Sequence, residues 1–408
     1  MYIFPIRPLL YICLFLVVPV ASGASDEIRI RISADEGLTE TDETAAMCVP
    51  VDLSAVSGLK PNELSGKALF CLSEAVEDPI PLQHVDDRVM GLIPVSGLGE
   101  DFVLKLLPES PEVPFEFREG SEGRLQLYEN DRLAAGYVYG DILAPGIAED
   151  RRRSSYFSPV ADPDGQIISD DFPKDHPHHR GLYWAWPKVM VGEKQLDMWH
   201  LRGVWVRFEN WTTRNVGPVC AVLGVKNGWF LRDGTRIVNE KMTATLFRSG
   251  PLGRMMDVKL QLEAVDKPVR IAGANEKGYG GFSFRPAPRR NEAITTVNGP
   301  QEDSDLIPSP WGDFSAQFGE QDSYSGLSIL QHPENPHFPC GWCLRHYGFL
   351  GVDFPGIEPF ELRPGEPLTL RFRVWVHRGN AEDGNVEQVF ALYRKAPNVT
   401  LVSTRDND

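Results

Sequence analysis

One short segment holds the residues best suited to proton-transfer chemistry. Three of the nine histidines, His176, His178 and His179, fall within four residues, between Asp175 and Arg180. Imidazoles beside a carboxylate can act as general acids and bases, and a guanidinium can bind a carboxylate or an oxyanion. This combination is typical of chemistry on a polar, oxygen-rich substrate.

The backbone of this segment is predicted to be a loop. On an extended chain the first two imidazoles would share one face, and the third would lie on the other face with Asp175. A single strand therefore could not direct all three at one ligand. Pro177 favours an extended or turn conformation, and Gly181 lets the chain bend again.

The same residue types also suit a structural role or a metal site. Buried histidines and arginines must be hydrogen-bonded, so the segment could be a polar network that anchors a loop to a sheet. His176 and His178 could instead bind zinc or copper, but such sites usually take three protein ligands and this spacing supplies two. We therefore predict no cofactor and keep a metal at these two histidines as the alternative.

Further candidates lie on both sides of a glycine-rich run. Trp184 follows the histidines and is predicted either as a core residue or as a platform for the apolar face of a sugar ring. Glu276, Tyr279 and Arg285 surround Gly278, Gly280 and Gly281, which would let the backbone approach a ligand closely. We predict that Glu276 or Tyr279 is a second proton-transfer group and that Arg285 binds substrate.

Three residues nearer the carboxyl end complete the predicted substrate-binding set. Trp311 and Asp313 lie within residues 300–323, which are rich in proline and acidic residues and predict a loop over one face. His332 follows a strand, in a turn that two prolines make rigid. Ordinary solvent-exposed turns are the alternative for each of these segments.

The composition excludes several classes of protein. The 408 residues are 42% hydrophobic and 24% charged, which fits a globular protein rather than a disordered or collagen-like one. A formal net charge of −16 disfavours nucleic-acid binding. The 37 glycines and 33 prolines suit many short strands joined by turns better than long helices, so we predict an all-β fold.

The amino terminus predicts export. An apolar run of about 12 residues, followed by small residues at 21–24, is typical of a cleaved signal peptide, here residues 1–24. The run is too short to span a bilayer of about 30 Å, although an uncleaved anchor is the alternative. No other stretch is apolar for 18 residues. We predict a secreted or periplasmic protein with no membrane span after cleavage.

Two modules are predicted in the remaining chain. Residues 25–114, with 18 acidic and six basic residues, form short alternating runs that predict a small acidic β-sandwich, the front module. Residues 115–397 contain longer strand-like runs that predict broad sheets. One helix is predicted over residues 386–395, with Asn385 as its N-cap. Residues 398–408 are predicted as a tail.

Five cysteines remain after the signal peptide, so at least one thiol is left unpaired within the chain. Cys48 and Cys71 lie in neighbouring strand-like runs and could pair. Cys340 and Cys343 have the spacing of a redox motif but no surrounding βαβ pattern. We interpret them as structural thiols or as a local bridge.

Several motifs occur in order over residues 116–396. They are the runs 152–159, 164–165, 175–182 and 278–281, Trp311 with Asp313, and the runs 332–335 and 362–366. Together they resemble a bacterial family labelled methane oxygenase PmoA, and the front module lies outside the resemblance. The resemblance implies a large antiparallel β-supersandwich similar to galactose mutarotase and some polysaccharide lyases, a fold that hosts epimerases, lyases and hydrolases.

The family label implies a subunit of a membrane monooxygenase that spans the membrane several times. This chain has no span after its signal, so we do not expect that activity. We predict an exported protein that binds a carbohydrate, acidic sugars included, and modifies it by epimerase-, lyase- or hydrolase-type acid–base chemistry. His178 or His179 would be the acid or base, oriented by Asp175. The alternatives are a non-catalytic glycan-binding protein and a copper or zinc protein.

Overall fold

A computed structural model describes residues 28–34, 47–54, 68–108, 110–320 and 322–402. The predicted signal peptide lies outside these residues. Within them the protein is all-β, as predicted, and every strand pairing is antiparallel. None of the described helices has the length and apolar character that a membrane crossing requires.

Most of the described chain lies in strands. Short 3-10 turns at Val95–Gly97 and Glu149–Arg151 and one α-helix, α1 (Val386–Arg394), account for the described helices. The strands are, in chain order, β1 (Ile28–Ser33), β2 (Cys48–Asp52), β3 (Ala68–Ser73), β4 (Val76–Val85), β5 (Arg88–Pro94), β6 (Asp101–Leu107), β7 (Phe115–Glu119), β8 (Arg124–Glu129), β9 (Arg132–Val138), β10 (Tyr156–Val160), β11 (Leu182–Ala185), β12 (Lys188–Val191), β13 (Lys194–Leu196), β14 (Val204–Val216), β15 (Cys220–Leu231), β16 (Arg236–Phe247), β17 (Gly253–Ala264), β18 (Val269–Ala272), β19 (Gly281–Phe284), β20 (Arg289–Thr296), β21 (Gly299–Pro300), β22 (Trp311–Phe318), β23 (Ser325–Gln331), β24 (Gly341–Arg345), β25 (Phe349–Asp353), β26 (Phe360–Leu362), β27 (Leu368–Arg378) and β28 (Asn398–Leu401).

Two large sheets form the main sandwich. The eight-stranded sheet has the order β24-β25-β19-β11-β10-β9-β8-β7, and the nine-stranded sheet has the order β14-β15-β16-β17-β27-β23-β22-β20-β21. Their facing side chains share one continuous apolar core. A small sheet, β13-β12-β18-β26, lies beside them. This is the broad supersandwich that the sequence predicts.

The front module forms a seven-stranded sheet, with the order β2-β5-β4-β3-β6-β1-β28. Strand β28 comes from the segment predicted as a carboxyl-terminal tail, and it pairs with β1 from Ile30–Leu401 to Ser33–Asn398. A second apolar core joins this sheet to helix α1 and to the outer face of the nine-stranded sheet. Both ends of the described chain therefore meet in one sheet.

Two local expectations are wrong. Trp311–Phe318 is strand β22, not a loop, and its inner residues Phe314, Ala316 and Phe318 are buried at the period of two that a strand requires. Asn385 does not cap helix α1 through its side chain, because its backbone is left-handed (φ 50°) and its amide donates to the carbonyl of Asp383 instead.

The five described cysteines are free thiols. Cys48 and Cys71 lie in β2 and β3, which β5 and β4 separate, so their Cα atoms are too far apart to be bridged. Cys340 and Cys343 are three positions apart on nearly extended chain, which directs their side chains to opposite faces. Neither of the two suggested bridges fits this geometry.

Gln83 of the front module is hydrogen-bonded to the main sandwich from a buried position. Its Oε1 accepts from the backbone nitrogens of Val219 (3.0 Å) and Cys220 (2.8 Å), and its Nε2 donates to the Cys220 carbonyl (3.0 Å). These bonds satisfy buried backbone groups before and at the start of β15. Gln83 therefore fixes where the module meets the sandwich.

We expect Gln83→Ala to lower the free energy of unfolding by about 2–4 kcal/mol, because buried backbone groups lose their partners. Urea denaturation followed by tryptophan fluorescence measures the change. Gln195→Ala, at an exposed position in β13, is the matched control and should stay within about 0.5 kcal/mol of the parent. Equal effects of the two substitutions would show that Gln83 does not hold the module.

Candidate active site

The predicted histidine segment is a loop between β10 and β11, as expected, and Arg180 fixes its shape. The guanidinium is fully buried, and its Nη1 donates to the carbonyls of Pro177 (2.6 Å) and His179 (2.7 Å). Its Nη2 donates to the Arg151 carbonyl (2.9 Å), and its Nε lies 3.5 Å from Asp171 Oδ1. Arg180 therefore anchors the loop, which fits the polar-network alternative, and its buried guanidinium is committed to these contacts.

The loop brings four imidazoles together. We call His176, His178, His179 and His200 the histidine cluster. The ring of His178 lies 4.6 Å from that of His179, 4.5 Å from that of His200 and 5.7 Å from that of His176, measured between centroids. His176 stacks on His179 at 4.8 Å. The fourth member comes from a separate turn after β13 and was not predicted.

Two Asp–His pairs flank the cluster. His176 Nδ1 lies 2.9 Å from Asp175 Oδ2, and His200 Nδ1 lies 2.8 Å from Asp197 Oδ2. Burial opposes ionisation of Asp175, but hydrogen bonds from His176 and Arg285 outweigh it and lower its pKa to about 2. In the same way the bonds from His200 outweigh burial and lower the pKa of Asp197. A carboxylate at Nδ1 favours the tautomer with its proton on that nitrogen, which leaves Nε2 as the acceptor of each ring.

The two inner histidines of the cluster, His178 and His179, have strongly lowered pKa values. Burial, with the nearby charges of His200 and Arg153, lowers the pKa of His178 to about 2. Burial and the other imidazoles hold the pKa of His179 well below its ordinary range. Both rings are therefore neutral at physiological pH and cannot donate a proton there. Asp175, which the sequence predicts to orient His178 or His179, contacts His176 instead.

Aromatic side chains enclose the cluster. The Trp199 ring lies 5.6 Å from His179, 5.4 Å from Tyr183 and 5.2 Å from Tyr279. The exposed ring of Tyr347 stacks on His176 at 4.8 Å and 11°. The rings of Tyr347, His176 and His179 thus form a stack that runs from the surface to the interior.

Several buried polar atoms around the cluster have no hydrogen-bond partner among the described residues. Arg285, only 5% exposed, uses Nη2 to bind both Asp175 oxygens, at 2.7 and 3.0 Å, while its Nε and Nη1 bind nothing. His179 Nδ1, the Tyr183 hydroxyl and Arg153 Nη1 are also unpaired. Since buried polar groups are rarely left unpaired, their concentration here indicates a place for a polar ligand.

The histidine cluster lies in the part of the chain that matches a known protein family. The model of a family described as "Family of unknown function (DUF6807)" matches residues 124–391. The chain belongs to this family. The matched residues include the whole histidine cluster and exclude strands β1–β6 of the front module. No curated protein matches the chain. The resemblance to the PmoA family stays a prediction.

Two solved structures are similar to this DUF6807 protein. One is a protein in glycosyl hydrolase family 38 from Enterococcus faecalis, with a TM-score of 0.42 and 9% identity over 92% of this chain and 47% of that chain. The other is an alpha-mannosidase from Enterococcus faecalis V583, with a TM-score of 0.40 and 8% identity over 92% of this chain and 46% of that chain. The chain thus spans less than half the length of either protein.

Of the glycine-rich run, Tyr279 contacts Trp199, which encloses the cluster, and Arg285 binds Asp175, whereas Glu276 lies apart from both. Glu276 lies exposed in a turn, with a positive φ of 65°. Trp184, predicted as a candidate sugar platform, is buried between the two large sheets instead, where it stacks on Phe282 and donates to Glu240 Oε2 (3.1 Å). It is a core residue because its position in β11 faces away from Tyr183.

Three predicted substrate-binding residues lie on the nine-stranded sheet or its loops, outside the histidine cluster. Trp311 packs in the second core and donates to Glu387 (2.9 Å). Asp313 is fully buried, where it accepts from Ser328 (2.7 Å) and pairs with His377 Nε2 (2.8 Å). His332 lines a cleft of about 610 Å³ between the front module and helix α1. The strand and turn geometry removes these residues from the site.

No group of three or more histidine, cysteine, aspartate or glutamate side chains in the described ranges is placed to hold a metal ion. The site residues that sequence reasoning missed are Asp197, Trp199, His200, Tyr347 and Phe349, whose ring lies 5.1 Å from that of His179. The spacing Asp-x-x-His at 197–200 was the available signal for the second Asp–His pair. Tyr347 and Phe349 carried no signal, since only the pairing of β25 with β19 brings them to the loop.

Acidification should destabilise the protein through its neutral histidines. A histidine in the unfolded chain has a pKa of about 6.5. Below that pH, His178 and His179 bind protons in the unfolded state but stay unprotonated in the folded state. The free energy of unfolding should therefore fall as the pH is lowered from 7 to 4, by at most about 1.4 kcal/mol per pH unit for each histidine.

Replacing His178 and His179 with glutamine, which does not titrate, should flatten the dependence of the free energy of unfolding on pH. Urea denaturation at several pH values measures the slope for the parent and for the double variant. A double variant with the parent slope would contradict the assignment of neutral rings to these positions.

Proposed function

We propose that this protein binds a carbohydrate at the histidine cluster and transfers protons to and from it through His176 and His200. The observation that carries the proposal is the presence of two Asp–His pairs on either side of two neutral imidazoles. Each pair has a Nδ1–H fixed by its carboxylate, which leaves Nε2 as the proton-transfer atom.

The surroundings support an oxygen-rich ligand. Sugar rings present hydroxyls at their edges and apolar C–H faces, and binding pockets for them combine aromatic walls with a few polar groups. The exposed Tyr347 ring and the half-buried Tyr279 ring supply the walls. The unpaired atoms of His179, Tyr183 and Arg285 supply hydrogen-bonding groups.

The carboxylates favour epimerase- or lyase-type chemistry over hydrolysis. Glycoside hydrolases in most families use two carboxyl groups directly, one on each side of the scissile bond. Here Asp175 is bound by His176 and Arg285, and Asp197 is bound by His200. Imidazoles therefore face the ligand, and imidazole bases suit removal and return of a proton at carbon.

We also propose that the protein acts outside the cytoplasm. The apolar run near the amino terminus supports export, although residues 1–24 lie outside the described ranges. Polymeric carbohydrate is met in that location, which agrees with the proposed ligand.

Incubation with a panel of neutral and acidic oligosaccharides in deuterium oxide tests the proposal. Proton transfer at carbon should introduce deuterium into substrate or product, which mass spectrometry and NMR detect. His176→Ala and His200→Ala should each lower the rate by about 10²–10⁴-fold, because each removes a positioned proton-transfer group.

His332→Ala is the matched control, since this histidine lies at the cleft beside Tyr393 rather than in the cluster, and it should keep the parent rate. Thermal midpoints show whether each variant is folded. Glycan binding without any product or deuterium would support the non-catalytic alternative. A folded variant with both His176→Ala and His200→Ala that keeps the full rate would refute the roles assigned to these two histidines.

A further inference from the structure

We infer that the ligand of this site carries a carboxylate, as a uronate sugar does, and that Asp175 occupies the carboxylate position on Arg285 until the ligand displaces it. This inference rests on the proposed function and names the class of carbohydrate. It concerns the guanidinium of Arg285 and the loop carboxylate that it binds.

Arg285 is built into the fold as a receptor for an anion. It follows strand β19 directly, its backbone nitrogen donates to the Gly181 carbonyl (2.7 Å), and its side chain is only 6% exposed. Its guanidinium lies 5.5 Å from the Tyr347 ring, at the surface end of the ring stack. Nε and Nη1 lack partners, so the group has donors to spare.

Asp175 is a poor permanent partner for a buried guanidinium. Its side chain is 44% exposed and comes from a loop, whereas Arg285 comes from a strand end. Both of its oxygens lie on Nη2 alone, which leaves most of the fork unused. A planar ligand carboxylate that approached over Tyr347 could bind the unpaired donors and compete for Nη2.

The surrounding charges favour an anionic ligand. Besides Arg285, the buried Arg153 and the half-buried Arg289 lie near the cluster, and both have an unpaired nitrogen. The other nearby carboxyl groups are Asp197, which pairs with His200, and Asp170. Neither Arg153 nor Arg289 forms an ion pair with a carboxylate of the described residues, so an incoming carboxylate would meet positive charge that no carboxylate already binds.

Oligogalacturonate and its fully methyl-esterified form provide the probe, because they differ in the carboxylate alone. By isothermal titration calorimetry the free acid should bind the parent protein about 10- to 100-fold more tightly than the ester, the value of a charge-assisted hydrogen-bonded pair. Arg285→Gln should abolish this preference, and Arg285→Lys should keep part of it. Arg118→Gln, an exposed arginine of β7, is the matched control and should keep all of it.

Asp175→Asn separates this inference from a merely structural role for the ion pair. Removing the internal carboxylate should tighten binding of oligogalacturonate while slowing turnover, since His176 loses its orienting partner. Thermal midpoints show whether the variants are folded. If Arg285→Gln does not fold, Arg285→Lys still tests the preference for the free acid. Weaker binding by folded Asp175→Asn would overturn the idea that Asp175 occupies the ligand position.

The remaining outcomes are distinguishable. Equal affinity for acid and ester, or a preference that survives Arg285→Gln, would overturn the carboxylate assignment. A sulfated galactose oligomer that binds as tightly as the uronate would also overturn it. Binding of neutral oligosaccharides without preference for acid would overturn this inference alone, whereas no binding of any oligosaccharide would overturn the proposed function as well.

Discussion

Buried arginines that bind main-chain carbonyls determine the geometry of the candidate active site. Arg180 binds the carbonyls of Pro177 and His179, and Arg153 binds those of Met198 (2.6 Å) and Trp199 (3.0 Å). The half-buried Arg151 binds the carbonyl of His200 (2.8 Å). A guanidinium taken out of water must satisfy its donors, so these contacts are strongly directional. They fix two irregular loops against each other, and the four histidines lie where those loops meet.

Burial, reinforced by nearby arginines, keeps His178 and His179 neutral. Positive charge near His178 adds to burial and keeps the ring neutral, and Arg153 itself has a pKa lowered to about 10 by burial and by the charge of Arg180. A protonated imidazole in this position would add charge where cations already crowd. The outer histidines, His176 and His200, each pair with a carboxylate instead, Asp175 or Asp197. Position relative to the buried cations therefore divides four chemically identical side chains into two kinds.

Much of the fold could be predicted from the sequence, because strands with a buried face show a period of two. Runs such as Arg236–Phe247 and Leu368–Arg378 alternate clearly and are strands. Trp311–Phe318 has the same alternation, but its proline-rich flank suggested a loop. Trp184 shows the limit of residue type as a guide, since an indole suits a core and a sugar site equally well and only sheet packing decides.

The site could be located but not assembled from sequence. The close spacing of His176, His178 and His179 identified the loop, whereas Asp197 and His200 join it through contacts between loops that no local pattern records. Roles also depend on these contacts: Asp175 is next to His176 in sequence and binds it, yet its second partner, Arg285, is 110 positions away. Long-range pairing decides which carboxylate serves which base.

The pairing of β1 with β28 has a consequence for the order in which the protein can be made. During synthesis the front module emerges before the main sandwich, but its sheet lacks an edge strand until Asn398–Leu401 has left the ribosome. Until then β1 presents an open edge to other chains. A module translated before the sandwich is thus completed after it, and the nascent chain carries an unfinished sheet while the whole sandwich is being synthesised.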